Sequence, residues 1–144
     1  MATVRTLLPV MVVLLATPPV LADVSVFQTP SGNILCSVGT GEAPTDIDCT
    51  IFERSGPPAT PRLAGCNAAG GHRFWMRVHG VVKAECGRPS GSVPHGPERG
   101  ISIVPYGDTE EFDGIVCHSL TTGLECRNAD GHGFSLSRQR QSIF

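Results

Sequence analysis

The sequence predicts a small all-β domain, an antiparallel sandwich or partly closed barrel stapled by three disulfides. Glycine (17) and proline (12) are frequent and spread through the chain, with short alternating segments between them. No stretch beyond residue 22 sustains a helical period. The six cysteines, Cys36, Cys49, Cys66, Cys86, Cys117 and Cys126, all follow an apolar leader and fall in tandem pairs.

Residues 1–22 read as a secretory signal peptide. Arg5 supplies the positive start. Residues 7–16 form an apolar run broken only by Pro9, too short for the roughly 20 residues that a bilayer span needs. Val20-Leu21-Ala22 places small residues ahead of a cut after Ala22, and the next residue is Asp23 rather than a lipidated cysteine. The expectation is a single secreted β-domain over residues 23–144, soluble, monomeric, periplasmic or extracellular, without a stable membrane anchor. The whole sequence carries 11 Lys and Arg against 13 Asp and Glu, a net charge of −2. That leaves no basic excess to attract nucleic acid and no polybasic run for a membrane surface.

Candidate strands are residues 24–27, 33–38, 45–52, 72–78, 81–86, 101–104, 114–118, 124–127 and 133–137. The second and third form a hairpin when Cys36 faces Cys49. Ile34 then faces Ile51 and Val38 faces Ile47, while Asp46 and Asp48 point the other way. A one-residue slip would turn those acids into the core. Residues 53–62, with Pro57, Pro58 and Pro61, read as a surface loop.

In the strand at 72–78, Arg73, Trp75, Arg77 and His79 share one face and Phe74, Met76 and Val78 the other. A competing register makes His79-Gly80 a tight turn. Trp75 would then pair with Ala84 and Arg77 with Val82, and the Trp face would become core. Residues 87–100, with Pro89, Pro94 and Pro97, form a second surface loop. Asp108, Glu110, Glu111 and Asp113 read as an acidic turn that keeps an edge soluble.

The last hairpin places Cys117 opposite Cys126. Its loop is Leu120-Thr121-Thr122-Gly123, with Gly123 in the left-handed closing position. Ile115 and Leu124 share the cysteine face, and His118 lies opposite Glu125. Gly131-His132-Gly133 turns into the final strand, whose Phe134 enters the core. Cys66 and Cys86 pair by elimination. The hairpins at Cys36–Cys49 and Cys117–Cys126 echo each other, as reuse of one motif.

Three segments carry a resemblance. Pro30-Ser31-Gly32-Asn33-Ile34-Leu35-Cys36, Pro105-Tyr106-Gly107-Asp108-Thr109, and Gly123-Leu124-Glu125-Cys126-Arg127-Asn128 with Gly131-His132-Gly133-Phe134-Ser135-Leu136-Ser137-Arg138 are similar to a family of small exported bacterial proteins. That family is catalogued as a domain of unknown function. The resemblance implies export and disulfides, and it implies no activity or catalytic residues.

The strongest candidate site is Arg73, Trp75 and Arg77. An aromatic ring flanked by guanidinium groups suits an anion, a sugar or a partner surface. Other chemistry finds little footing. The histidines (His72, His79, His95, His118, His132) form no H-E-x-x-H or H-x-H motif. The acidic cluster does not fit an EF-hand, which would want a ligand where Phe112 sits and a glycine where Asp113 sits. No G-x-S-x-G is present, and Pro89-Ser90-Gly91 lies in a Pro-rich loop. Asp46 and Asp48 are paired carboxylates without an evident cleft. The expected function is therefore a non-catalytic binding module, with an unknown protein or envelope ligand as partner and no metal or cofactor. Alternatives are an inhibitor of an extracellular hydrolase, presenting a Pro-rich loop, and a hydrolase.

Overall fold

The structure, a computed structural model, describes residues 23–41, 43–57, 60–61, 72–85 and 100–144. The leader, Cys66 and Cys86, and nearly all of the loop at 87–100 lie outside the described residues. Among the described residues eleven strands follow in chain order: β1 (Asp23–Gln28), β2 (Ile34–Thr40), β3 (Asp46–Ile51), β4 (Arg73–Arg77), β5 (Lys83–Glu85), β6 (Ser102–Ile103), β7 (Thr109–Phe112), β8 (Ile115–Leu120), β9 (Gly123–Arg127), β10 (Gly133–Leu136) and β11 (Gln141–Ile143). The first sheet has the order β5-β4-β3-β2-β1-β6 and the second β11-β10-β9-β8-β7. Each is an antiparallel meander, except that β6 runs parallel to β1. Neither sheet closes into a barrel, and there is no helix among the described residues.

The first hairpin has the register that its alternation dictates: Cys36 faces Cys49, Ile34 faces Ile51 and Val38 faces Ile47. All six side chains are buried. In the last hairpin Cys117 faces Cys126 and His118 faces Glu125. Both pairs are disulfides, with Cα atoms 4.1 Å apart in each, as facing residues of antiparallel strands stand. One staples the middle of the first sheet and the other the middle of the second. Both point into the shared core.

Two aromatic pairs join the sheets. Phe27 of β1 stacks on Phe112 of β7 with centroids 5.7 Å apart, and Phe74 of β4 meets Phe134 of β10 at 6.0 Å. The disulfides thus sit between two aromatic contacts, in one core with Met76, Val104, Ile115, Leu124 and Leu136.

Some sequence expectations need correction. The acidic segment is not a turn but the edge strand β7, since pairing with β8 and packing of the partly buried Phe112 against the core outweigh its charge. A further strand, β11, appears where none was expected, and its inward Gln141 is buried by donating to Ser137 O at 2.6 Å. The β8–β9 connection is shorter than a four-residue loop, because Leu120 and Gly123 already pair and leave only Thr121 and Thr122 as the turn. Gly123 has φ +143°, outside the left-handed helical well, and a Cβ there would lie 2.0 Å from Leu136 O. The glycine is needed because β10 passes so close. The strand at 81–86 starts at Lys83, and that at 101–104 shrinks to Ser102–Ile103.

Candidate functional site

The segment Arg-Phe-Trp-Met-Arg of β4 alternates, and its burial alternates with it. Phe74 and Met76 are buried, Arg73 and Arg77 exposed, and Trp75 partly buried. The strand lies between β3 and β5, with Asp48, Trp75 and Lys83 in one row across the outer face. The tight-turn register at His79-Gly80 is therefore wrong. Phe74, not Trp75, faces Ala84, and residues 78–82 make a wider connection. Trp75 stands on the solvent side of the first sheet.

The three candidate residues are brought to one face but not to one role. Arg73 is committed within the protein. Its Nε donates to Asp48 Oδ1 at 2.9 Å and its Nη1 to Glu85 Oε2 at 3.0 Å. The bond and charge of Asp48, then those of Glu85, raise its pKa above an already high value. Such an exposed network contributes at most about 1 kcal/mol per pair. Lys83 Nζ lies 4.9 Å from the Trp75 ring centroid, a cation–π contact. Arg77 stands opposite Asp46, and its guanidinium has no hydrogen-bond or ion-pair partner among the described residues.

Trp75, Arg77, His79, Gly80, Val81 and Lys83 line a shallow groove of about 220 Å³. Val81 is 64% exposed and adds an apolar margin. The far wall is fixed from the other sheet. His79 Nδ1 is 2.8 Å from Asp130 Oδ1, and Gly80 N donates to Asp130 Oδ2 at 2.8 Å. Those two bonds, with the charge of His79, lower the Asp130 pKa. Beneath them, Asn128 Nδ2 donates to Arg77 O and Gly80 O, and Asn128 Oδ1 accepts from Asp130 N and His132 N. Ala129 N also donates to Val78 O.

Elsewhere, His118 Nδ1 meets Thr109 Oγ1 at 2.8 Å on the outer face of the second sheet. His72 is buried, with Nδ1 2.7 Å from Ile51 O. Asp46 and Asp48 share the outer face of β3, and Asp48 is taken up by Arg73. Among the described residues no group of three or more His, Cys, Asp or Glu side chains is placed to hold a metal ion. The loop at 87–100, which the inhibitor reading needs protruding and ordered, lies almost entirely outside the described residues.

A family of unknown function (DUF6636) matches residues 6–144. The chain belongs to that family. No curated protein and no solved structure matches it.

In this member the segments that prompted the resemblance are largely fixtures of the sandwich rims. Asn33 binds the backbone of Glu53 in both directions, donating to its O at 3.0 Å and accepting from its N at 2.8 Å. Asn128 does the same work at the opposite rim. The same segments also border a second, larger concavity at the Asn33 rim, lined by Tyr106 and by turn residues of both sheets. The sequence offered no signal for that site beyond the turn chemistry of Pro105-Tyr106-Gly107, because its walls come from turns far apart in the chain.

Proposed function

We propose that the mature chain is an exported, non-catalytic binding module that holds a protein partner through the outer face around Trp75. The observation that carries this reading is a partly exposed tryptophan bordered by the guanidinium of Arg77, which has no partner among the described residues, and by exposed Lys83 and Val81. An aromatic anchor beside exposed cationic groups suits a partner that presents a carboxylate next to an apolar side chain. The groove is held from behind by Asn128 and Asp130, so little ordering cost falls on binding. The leader at residues 1–22 supports export. The two buried disulfides are compatible with an oxidising compartment, periplasmic or extracellular.

The test is capture of partners from envelope extract by the wild type, Trp75→Ala and Arg77→Ala, each checked for an unchanged melting curve. Trp75→Ala should weaken capture by about 2 kcal/mol, roughly thirtyfold, the scale of an aromatic hot spot. Arg77→Ala should weaken it less. Equal capture by all three proteins would remove the support for this face.

A further inference from the structure

The larger concavity lies at the rim where β1 turns into β2, β8 into β9 and β10 into β11, with a volume of about 410 Å³. That is within the usual range of small-ligand sites, about 300–1,000 Å³. Tyr106 stands at its mouth, 43% exposed. The turn that carries it is rigid. Asp108 N donates to Pro105 O at 3.2 Å, Gly107 N donates to Ser119 O at 2.7 Å, and Gly107 takes φ +95°. Pro105 opens that turn, Tyr106 and Gly107 are its two corners, and the positive φ at the second corner is one that glycine permits. The turn thus fixes the backbone that carries the phenol ring, and Leu120 (42% exposed) lines the same groove.

Around this apolar pair stand groups that both donate and accept hydrogen bonds. Tyr106, Thr121, Thr122 and Gln139 line the groove, their side chains carry such groups, and none makes a side-chain hydrogen bond among the described residues. Among the described residues the one charged lining residue is Arg138, which already pairs with Glu53 at 3.2 Å. A phosphate or nucleotide would want free cations, and a metal ion would want carboxylates. An extended peptide would want an open strand edge. The walls here are turns and strand ends. A neutral sugar answers all of these features, since its hydroxyls donate and accept and its C–H face lies flat on an aromatic ring.

We infer that this groove is a saccharide-binding site, seating a neutral sugar unit against Tyr106. It is separate from the Trp75 face, and the protein carries its own reporters for the two. Tyr106 is the only tyrosine and Trp75 the only tryptophan in the sequence. The experiment is fluorine NMR on the mature protein carrying fluorotyrosine or fluorotryptophan, titrated with chitotriose and, separately, with maltotriose. The expected result is a saturable shift of the tyrosine signal with at least one trimer below about 10 mM, with the tryptophan signal still. By calorimetry, Tyr106→Ala should bind that trimer at least about tenfold more weakly, and Tyr106→Phe, which keeps the ring, roughly two- to fivefold more weakly. Absence of a saturable tyrosine shift with both trimers overturns the inference. So does equal movement of the two signals, or affinity unchanged in a folded Tyr106→Ala protein.

Discussion

Asn128 is 4% exposed, and its carboxamide spends both donated and both accepted bonds on backbone groups of two different turns. No other side chain type offers that set on so short a stem. Asn128→Ala should leave several backbone groups unpaired at the rim and cost about 3 kcal/mol or more. Asn128→Asp keeps the accepting oxygen and loses both donations while adding a charge to a buried site, so it should cost at least as much. Urea unfolding of the two variants checks both values; a loss under about 1 kcal/mol would mean that water replaces the amide. Gly123 is a second position where one atom decides. With Leu136 O 2.0 Å from the place of a Cβ, Gly123→Ala must push β10 off β9, and a loss of about 2–4 kcal/mol is expected in the same measurement.

At the scale of elements, legibility followed locality. The stapled hairpins could be read because alternation, acid placement and cysteine parity all lie within a few residues of each other. β7 and β11 could not. Both are edge strands, so each needs only one neighbour, and Glu110, Glu111 and Gln141 hide the alternation. The register of β4 against β5 was open for a different reason. Residues 78–82 are held by Asn128 and Asp130, some fifty positions later, and that information is absent from the local sequence. The same link gives a pH prediction. Asp130 has a lowered pKa in the folded protein, so its contribution is present above the unfolded value of about 3.9 and fades as pH falls through the folded one. Asp130→Asn should melt below the wild type near neutral pH, and the two melting temperatures should converge in strong acid. A gap that persists in acid would mean that the carboxylate charge is not what ties the turns together.

For the molecule as a whole, the candidate site was legible as a face and not as a set of partners. Sequence parity put Arg73, Trp75 and Arg77 on one side, while only the three-strand register shows Arg73 neutralised by Asp48 and Glu85 and Arg77 without a partner among the described residues. The sandwich itself rests on side chains that point inward from both sheets, and the two disulfides are among them. Cys36, Cys49, Cys117 and Cys126 are each no more than 1% exposed. A reductant therefore reaches these sulfurs only when the sheets separate, although the chain-entropy contribution of each loop, about 3 kcal/mol, is a large part of the stability of a domain of this size. Two consequences can be measured together. In native buffer with dithiothreitol and an alkylating agent, peptides holding these four cysteines should stay unmodified for as long as the fold persists, and they should become labelled at the rate of global unfolding when urea is added. Cys117→Ala with Cys126→Ala should lower stability by about 3 kcal/mol and bring that rate forward for Cys36 and Cys49 too, because both bonds belong to one core. Labelling of Cys36 and Cys49 that ignores the loss of the second disulfide would show instead that the two sheets open independently.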